Sequence, residues 1–581
     1  MTTIPGTEGD DRLFGDDTGN DNLYGLGGND LLRGLDGDDW LEGGAGDDNL
    51  YGGLGADTFI GGDGIDVLNY GDSASGVSVN LTTGLNHGGA EGDITLDSFE
   101  IVRGSLFDDS LVGDGGANAL RGLAGEDTLR GLGGDDILDG GSGDDYLDGG
   151  SGDDLLRGGQ GGDGFLGGDG QDRISYATSD AGVVIDLAAG TAHGGFAEGD
   201  RFFDRVESLD GSRFGDSLTG GDADDSLNGL DGDDDLRGGG GDDVLQGGAG
   251  ADVFSGGVGT DTVDYVHSQA GIAVDLGTGA NHGGDAEGDS FSDAIEIIRG
   301  SRFADSLTGS AGSDILFGAG GADLLEGDAG DDVLTGGAGA DSFIGGDGID
   351  IVSYADATRG VTVDLSDPSN NFGDADGDVY LSGIEIIEGS RIGSSLRGDS
   401  GDNHFRAAGG GNGINGEAGN DILEGAGGSD SLVGGLGDDW LTGKGGNDYL
   451  YGYQGDDVMI GGAGQDWMEG GEGADRYVYT AITDAGPTDV NGAREMIWYF
   501  STADGDVINL GAIDADGDAA NGDAAFTVVT GAFTGAGAEL LIQRLGTSHY
   551  QIRLDVDGDQ RTDSLIHVYS YSPLTAADFV L

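Results

Sequence analysis

Apolar residues recur every nine positions along most of this chain. Across residues 43–69, Leu50, Phe59 and Leu68 each sit between non-core positions, and each follows an aspartate by two places. The three nonapeptides there read GGAGDDNLY, GGLGADTFI and GGDGIDVLN, a pattern G-G-x-G-x-D-x-U-x with U a large apolar residue. The x-U-x triplet predicts a short β-strand with one side chain turned inward. The glycines predict a tight turn, because they enter backbone regions that a Cβ disfavours. One nonapeptide is then half a coil, and each turn stacks on the turn eighteen residues later. No single repeat can bury its own strand, so folding is cooperative along the stack. The predicted fold is all-β: a parallel β-roll, a β-solenoid of Gly/Asp nonapeptides, followed by a C-terminal β-rich cap.

The sixth-position aspartates keep phase through five blocks. The first holds Asp30, Asp39, Asp48, Asp57 and Asp66; the second Asp127, Asp136, Asp145, Asp154, Asp163 and Asp172. The third holds Asp216, Asp225, Asp234, Asp243, Asp252 and Asp261; the fourth Asp305, Asp314, Asp323, Asp332, Asp341 and Asp350. The fifth holds Asp421, Asp430, Asp439, Asp448, Asp457, Asp466 and Asp475. The expected boundaries are 6–69, 104–175, 211–264, 300–353 and 389–478 for the blocks. Inserts are expected at 70–103, 176–210, 265–299 and 354–388, and the cap at 479–581.

Composition changes the picture through charge. The chain has 130 Gly and 111 acidic residues against 23 basic ones, a formal net charge of −88. A compact body of that charge repels itself. Either the chain stays disordered or cations neutralise it on folding, and a fixed phase of apolar residues argues against disorder. The acidity also argues against nucleic acid and anionic membranes as partners. There is no cysteine, hence no disulfide framework or thiolate metal site. No apolar run approaches the roughly 20 residues of a spanning helix, so membrane insertion is not expected.

The nonapeptide pattern resembles the calcium-binding repeat of RTX, or haemolysin-type, proteins. The resemblance fits the residue chemistry. Glycine turns carbonyl oxygens inward and aspartate adds a carboxylate, and calcium takes six to eight oxygens at about 2.3–2.6 Å. Ions bridging turns eighteen residues apart would number on the order of 20–30, and their charge of about +40 to +60 would offset much of the acidity.

The inserts begin at Tyr70, Tyr176, Tyr265 and Tyr354, the last three 89 residues apart. Each runs for about 35 residues, close to two coils of eighteen, and carries alternating apolar segments such as GIAVDL. They are expected to be broadened coils, so that the solenoid runs nearly unbroken from Gly6 to about Val478, on the order of 100 Å. His87, His193 and His282 recur at one insert position, with Asn371 in the fourth copy; Glu91, Asp93, Glu198, Asp200, Glu287, Asp289, Asp376 and Asp378 lie nearby. A metal or glycan site is one reading, but a polar turn is preferred, because Asn replaces His without other change. In the fifth block Ser394, Asn403 and Asn412 replace the aspartate, so calcium sites there should be weak or missing.

After Asp475 the repeats stop, and RYVYTAI, AFTVVTG, ELLIQRL and SLIHVYS read as strands. The stretches EMIWYFSTADGDVINLGAIDA, DVDGDQRTDSLIHV and LTAADFVL resemble the C-terminal part of serralysin-type secreted metalloproteases. That resemblance implies a region that caps the roll and carries an uncleaved type I secretion signal, with Asp578-Phe579-Val580-Leu581 as its acidic-then-apolar end. The first residues have no basic or apolar leader, which agrees with export by that route. Asp514, Asp516 and Asp518, and Asp555, Asp557, Asp559 and Asp563, form alternating acidic runs. They are read as solvated hairpin loops in preference to calcium loops.

No enzyme is expected. The chain has no H-E-x-x-H, G-x-S-x-G or thiol nucleophile, and repeats begin by Gly6, which leaves no room for an N-terminal catalytic domain. The expected role is a secreted, extracellular or cell-surface calcium-binding protein that is structural or adhesive. Its expected partners are calcium, the type I secretion machinery, and a surface glycan or further copies of itself. The alternative is a calcium-loaded module binding a glycan or protein, and an enzyme acting on polysaccharides is a more distant third reading.

Overall fold

The computed structural model describes residues 2–16, 19–96, 99–485, 495–513 and 525–581. Short strands alternate with turns throughout, and the only helical pieces among these residues are 3-10 turns. The chain divides into two units, residues 1–299 and 300–581.

In the first unit the strands stack in parallel with a step of eighteen. Leu23 lies beside Leu41 and Leu41 beside Phe59 on one face; Leu32 lies beside Leu50 and Leu50 beside Leu68 on the other. All six side chains are fully buried. The core is therefore two facing columns, each fed by one apolar residue per nonapeptide. Burying such a leucine contributes about 1.5–3 kcal/mol. The second glycine of each repeat is commonly left-handed, as Gly44 (φ 117°) and Gly53 (φ 112°) are, which accounts for glycine there.

The inserts widen one coil and break one sheet. On one face Val67–Asn69 passes directly to Ile101–Arg103, pairing Leu68 with Val102, so that face gains no strand. On the other face, the sheet that includes Thr58–Asp63 ends on Ile94–Thr95. A new sheet starts from Val77–Asn80, which pairs with Ser110–Val112. The second insert repeats this with Arg201–Phe202 ending a sheet and Val184–Asp186 opening the next. In the second unit Val379–Ser382 ends one sheet and Val361–Asp364 opens another. Each of these inserts is one wide coil, where its length equals two ordinary ones.

The second unit ends in a β-rich cap. Glu495–Phe500 adds in parallel to Trp467–Glu472, and Ser564–Ser570 adds to it in turn. The sheet then becomes antiparallel through His549–Asp555 and Glu539–Arg544. Trp467, Trp498, Tyr569 and His549 stack across this junction, with ring centroids 4.7, 4.0 and 4.4 Å apart. The opposite face closes with Phe579–Val580 on Val507–Asn509. Four expected cap strands form, as Arg476–Val478, Thr527–Val529, Glu539–Arg544 and Ser564–Ser570.

Candidate metal centres

Every turn aspartate points into the roll, and its two carboxylate oxygens have different surroundings. In most of them Oδ1 is held by the coil before. Asp30 N–H donates to Asp48 Oδ1 at 2.8 Å, Asp127 N–H to Asp145 Oδ1 at 2.8 Å, and Asp439 N–H to Asp457 Oδ1 at 2.9 Å. Repeated every eighteen residues, these bonds form a ladder of carboxylates inside each edge of the roll. They fix each side chain's rotamer before any ligand arrives.

Oδ2 is buried and receives no hydrogen bond in Asp30, Asp39, Asp48, Asp57, Asp127, Asp136, Asp145, Asp154, Asp163 and Asp172. The same holds for Asp234, Asp243, Asp252, Asp261, Asp323, Asp332, Asp341 and Asp350, and for Asp421, Asp439, Asp448, Asp457, Asp466 and Asp475. Asp66 is equally buried. A buried carboxylate oxygen without a donor costs several kcal/mol unless a cation meets it. Burial accordingly raises these carboxyl groups from 3.8, to about 8 for Asp57, Asp145, Asp252 and Asp457, with neighbouring aspartates adding to the shift.

The space beside each oxygen fits a calcium ion. A Cβ added to Gly43 would lie 2.2 Å from Asp48 Oδ2 and 2.7 Å from the Gly61 carbonyl oxygen of the next coil. At Gly25 the corresponding distances are 2.1 Å to Asp30 Oδ2 and 2.3 Å to Gly43 O. Only a glycine leaves that cradle open, and its walls are hard oxygens from two stacked turns, the donor set calcium takes. A cation held there would neutralise the ladder and join consecutive coils.

Five predicted aspartates differ. Asp216, Asp225, Asp305, Asp314 and Asp430 each receive on Oδ2 the N–H of the residue four places earlier, at 2.5, 2.6, 2.6, 2.6 and 2.8 Å. Those donors are Ser212, Gly221, Ser301, Ser310 and Ala426, and none has positive φ. Where the donor position is left-handed, as at Gly44 before Asp48, the N–H turns away and the oxygen is left without a donor. The first four of these aspartates open their blocks. A serine in place of the second glycine was the readable signal for three of them.

The substituted turns of the fifth block carry their own donors. Asn412 Nδ2 lies 3.0 and 3.1 Å from the carbonyl oxygens of Gly409 and Gly410, and 2.8 Å from Asp430 Oδ1. The amide thus satisfies oxygens that a cation would otherwise use. Ser394 Oγ accepts the N–H of Ser390 at 2.8 Å.

The ladder also recruits residues that the sequence pattern missed. Asp57 N–H donates to Asp93 Oδ1, Asp163 N–H to Asp200 Oδ1, Asp252 N–H to Asp289 Oδ1 and Asp341 N–H to Asp378 Oδ1, all at 2.7–2.8 Å. On the other edge Glu100, Glu207, Glu296 and Glu385 accept from the last aspartate of each block, and Glu495 and Asp506 take the same places beneath the cap. Each insert pair lies seven residues apart, as in Asp93 and Glu100, a spacing repeated in all four copies. Asp21 and Asp109 extend the nine-residue phase backwards and belong to the ladder as well.

A second ladder runs outside the first. The fifth-position residue, free in the repeat formula, is often Asp or Asn. Asp38 Oδ1 accepts from Ala56 N–H at 3.0 Å, and Asp144 Oδ1 from Gly162 N–H at 2.9 Å, each eighteen residues on. The inner ladder donates forward along the chain and the outer one backward, so stacked turns are clamped in both senses.

The insert histidines take no part. His87, His193 and His282 are exposed, and no cluster of three ligating side chains among the described residues includes them. The fourth-copy equivalence to Asn371 needs correction. His282 bridges Ala273, and Phe372 bridges Thr362 in the same way. Asn371 instead matches Asn281: their Oδ1 atoms accept from Asp364 and Asp275 N–H. The fourth copy has one more residue before this point, beside the turn Pro368–Asn370, which displaces the count.

In the cap, ligand atoms of Asp555, Asp557 and Asp563 come within 4.8 Å of one another. Asp555 is already met by the N–H groups of Gly558 and Gln560, as in a self-supported hairpin loop. Asp514, Asp516 and Asp518 lie outside the described residues.

Stacked glycine turns, a parallel two-column core and a buried carboxylate ladder define a calcium-binding β-roll. The model of the RTX calcium-binding nonapeptide repeat matches overlapping stretches within residues 5–68, 103–174, 204–263, 292–352 and 389–477, more than half of the chain. The chain belongs to that family, and it binds calcium ions at many repeats. No curated protein matches it. Among solved structures it is similar to the AlgE6R3 subunit of the Azotobacter vinelandii mannuronan C5-epimerase in solution. The identity is 26% over 27% of this chain and 80% of that one, with a TM-score of 0.21. No helix among the described residues is long and apolar enough to cross a membrane.

Proposed function

We propose that this protein is exported unfolded and condenses into its roll on calcium outside the cell, where it serves as a structural or adhesive component of the surface or matrix. The observation that carries this reading is the row of buried Oδ2 atoms without hydrogen bonds. Without a cation those oxygens must be protonated or left unpaired, so the coil stack is disfavoured at neutral pH. Cytosolic calcium is too dilute to fill sites of the roughly 10⁻⁴–10⁻³ M class found in extracellular modules. The chain therefore stays extended inside and fits a channel that passes unfolded polypeptide. Outside, binding free energy becomes folding free energy.

The count is on the order of 20–30 ions. Residues 479–581, which resemble the end of serralysin-type proteases, are read as the cap and the type I export signal. The repeats are the body of the protein, with no catalytic role assigned to any residue. Circular dichroism with calcium and with excess EDTA tests the folding reading, and a fully β-structured protein in EDTA would refute it. Fractionation tests the location: EDTA is expected to release the protein from the cell surface.

A further inference from the structure

Four tyrosines open the inserts, and all four are buried, with relative exposure of 5% for Tyr70 and 2% for Tyr176, Tyr265 and Tyr354. Each follows by eleven residues a phenylalanine that stands in a core column: Phe59, Phe165, Phe254 and Phe343. The first three pairs meet edge to face at 6.3–6.4 Å between centroids. The ring is thereby fixed inside the widened coil, and its hydroxyl reaches an insert carboxylate; Tyr70 Oη also accepts from Asn86 Nδ2 at 3.4 Å, and Tyr354 Oη also lies 2.5 Å from Tyr380 Oη. Tyr70 Oη–H donates to Asp93 Oδ2 at 3.0 Å, Tyr176 to Asp200 Oδ2 at 2.7 Å, Tyr265 to Asp289 Oδ2 at 2.8 Å and Tyr354 to Asp378 Oδ2 at 2.5 Å.

That oxygen is the one left without a donor in the ordinary turns. Asp93, Asp200, Asp289 and Asp378 otherwise behave as ladder members, with Oδ1 on the N–H of the preceding coil. Their second oxygen alone differs, and the difference is the same in all four copies. Burial, with the adjacent carboxylate, holds each phenol well above its usual titration range, so it remains a donor at any physiological pH.

We propose that the phenol hydroxyl takes the place of calcium at these four turns, so that Asp93, Asp200, Asp289 and Asp378 hold no ion and the insert turns close without metal. The proposal rests on the calcium reading of the ordinary turns. A consequence is that within each unit the ions fall into separate groups, because a phenol-closed turn interrupts the row on that edge. The aromatic coils then supply packing that does not wait for calcium.

The test is a calcium count on the full chain after dialysis to saturation, by atomic emission. A control set, Asp39→Asn, Asp145→Asn, Asp243→Asn and Asp332→Asn together, is expected to lose at least four ions per chain. An insert set, Asp93→Asn, Asp200→Asn, Asp289→Asn and Asp378→Asn together, is expected to keep the wild-type count. An insert set that loses ions as the control does would overturn the proposal. A control set that loses none would instead overturn the calcium reading of the ordinary turns. The set Tyr70→Phe, Tyr176→Phe, Tyr265→Phe and Tyr354→Phe gives an independent readout. It frees four oxygens, so it is expected to bind up to four further ions or to melt at a lower temperature in saturating calcium. Neither change in that set would also overturn the proposal.

Discussion

Asp145→Asn should have opposite effects with and without calcium. Asn keeps an oxygen for the N–H of Asp127, which donates to Asp145 Oδ1 at 2.8 Å. The ladder bond survives, as the natural Asn412 shows by accepting the N–H of Ser394 at 2.8 Å. What is lost is one charge and one metal-facing oxygen. In calcium at about ten times the site dissociation constant, an ion contributes about 1.4 kcal/mol, so losing one or two ions costs about 1.5–3 kcal/mol. In EDTA the sign reverses. The carboxyl is raised from 3.8 to about 8 by burial, so at pH 7 the metal-free fold must take up a proton or hold a buried charge. The full penalty is about 4 kcal/mol at about 1.4 kcal/mol per pH unit. Partial solvent screening brings it to about 2 kcal/mol. The variant should therefore need more calcium to fold, yet show more residual β-structure in EDTA. Circular dichroism across a calcium titration and an EDTA baseline measures both. A variant less structured than wild type in both conditions would refute the reasoning, because the carboxylate would then be acting through its hydrogen bond alone.

Gly43→Ala should remove the site beside Asp48, since its Cβ would lie 2.2 Å from Asp48 Oδ2; a lower calcium count with about 1–3 kcal/mol of destabilisation is expected from thermal melts. Leu450→Ala, in the fully buried column, should cost about 2–5 kcal/mol in calcium-saturated denaturation while leaving the count unchanged. Acid should partly replace calcium. The ladder carboxyls are raised in the folded state, so their contribution is fully present below the unfolded value of 3.8 and is lost as pH rises through about 6 for Asp48 and Asp154 and about 8 for Asp57. In EDTA, β-structure should thus increase as pH falls from 8 to 4, and a flat dichroism profile would contradict this.

The repeat made the roll legible because each nonapeptide carries its own turn, ligand and core residue. Leu41, Leu50, Phe59 and Leu68 occupy the columns that periodicity assigned them. Two things were not legible and a third was legible only in part, each for a physical reason. The outer ladder uses a position where Ala56 and Gly162 serve as well as Asp38, because each turn gives its backbone N–H whatever its side chain and only the turn eighteen residues before must supply an acceptor. The insert carboxylates lie 34 to 37 residues from their partners, a distance set by the widened coil and not by the period. The opening turns look like calcium turns by formula. Their carboxylates are met by a backbone N–H only because the residue four places earlier, Ser212 or Ser301 for example, is not left-handed.

The charge of −88 therefore has two components that respond differently. Acids of the outer ladder are exposed and keep their hydration, so salt screens them. Acids of the inner ladder surrender water on both sides when coils stack, and no monovalent atmosphere reaches Oδ2 in the closed turn. Only a cation able to shed its water for a cradle of oxygens, or a proton, can restore what burial removes. Raising sodium chloride should accordingly reduce general repulsion without folding the chain, while millimolar calcium folds it. The ordering of coils follows from the same distinction. A phenol-closed turn such as Tyr265 on Asp289 asks for no ion, whereas its neighbour at Asp252 does. Stacking should consequently begin where tyrosine and phenylalanine already fill the coil and spread outward as calcium closes each successive turn.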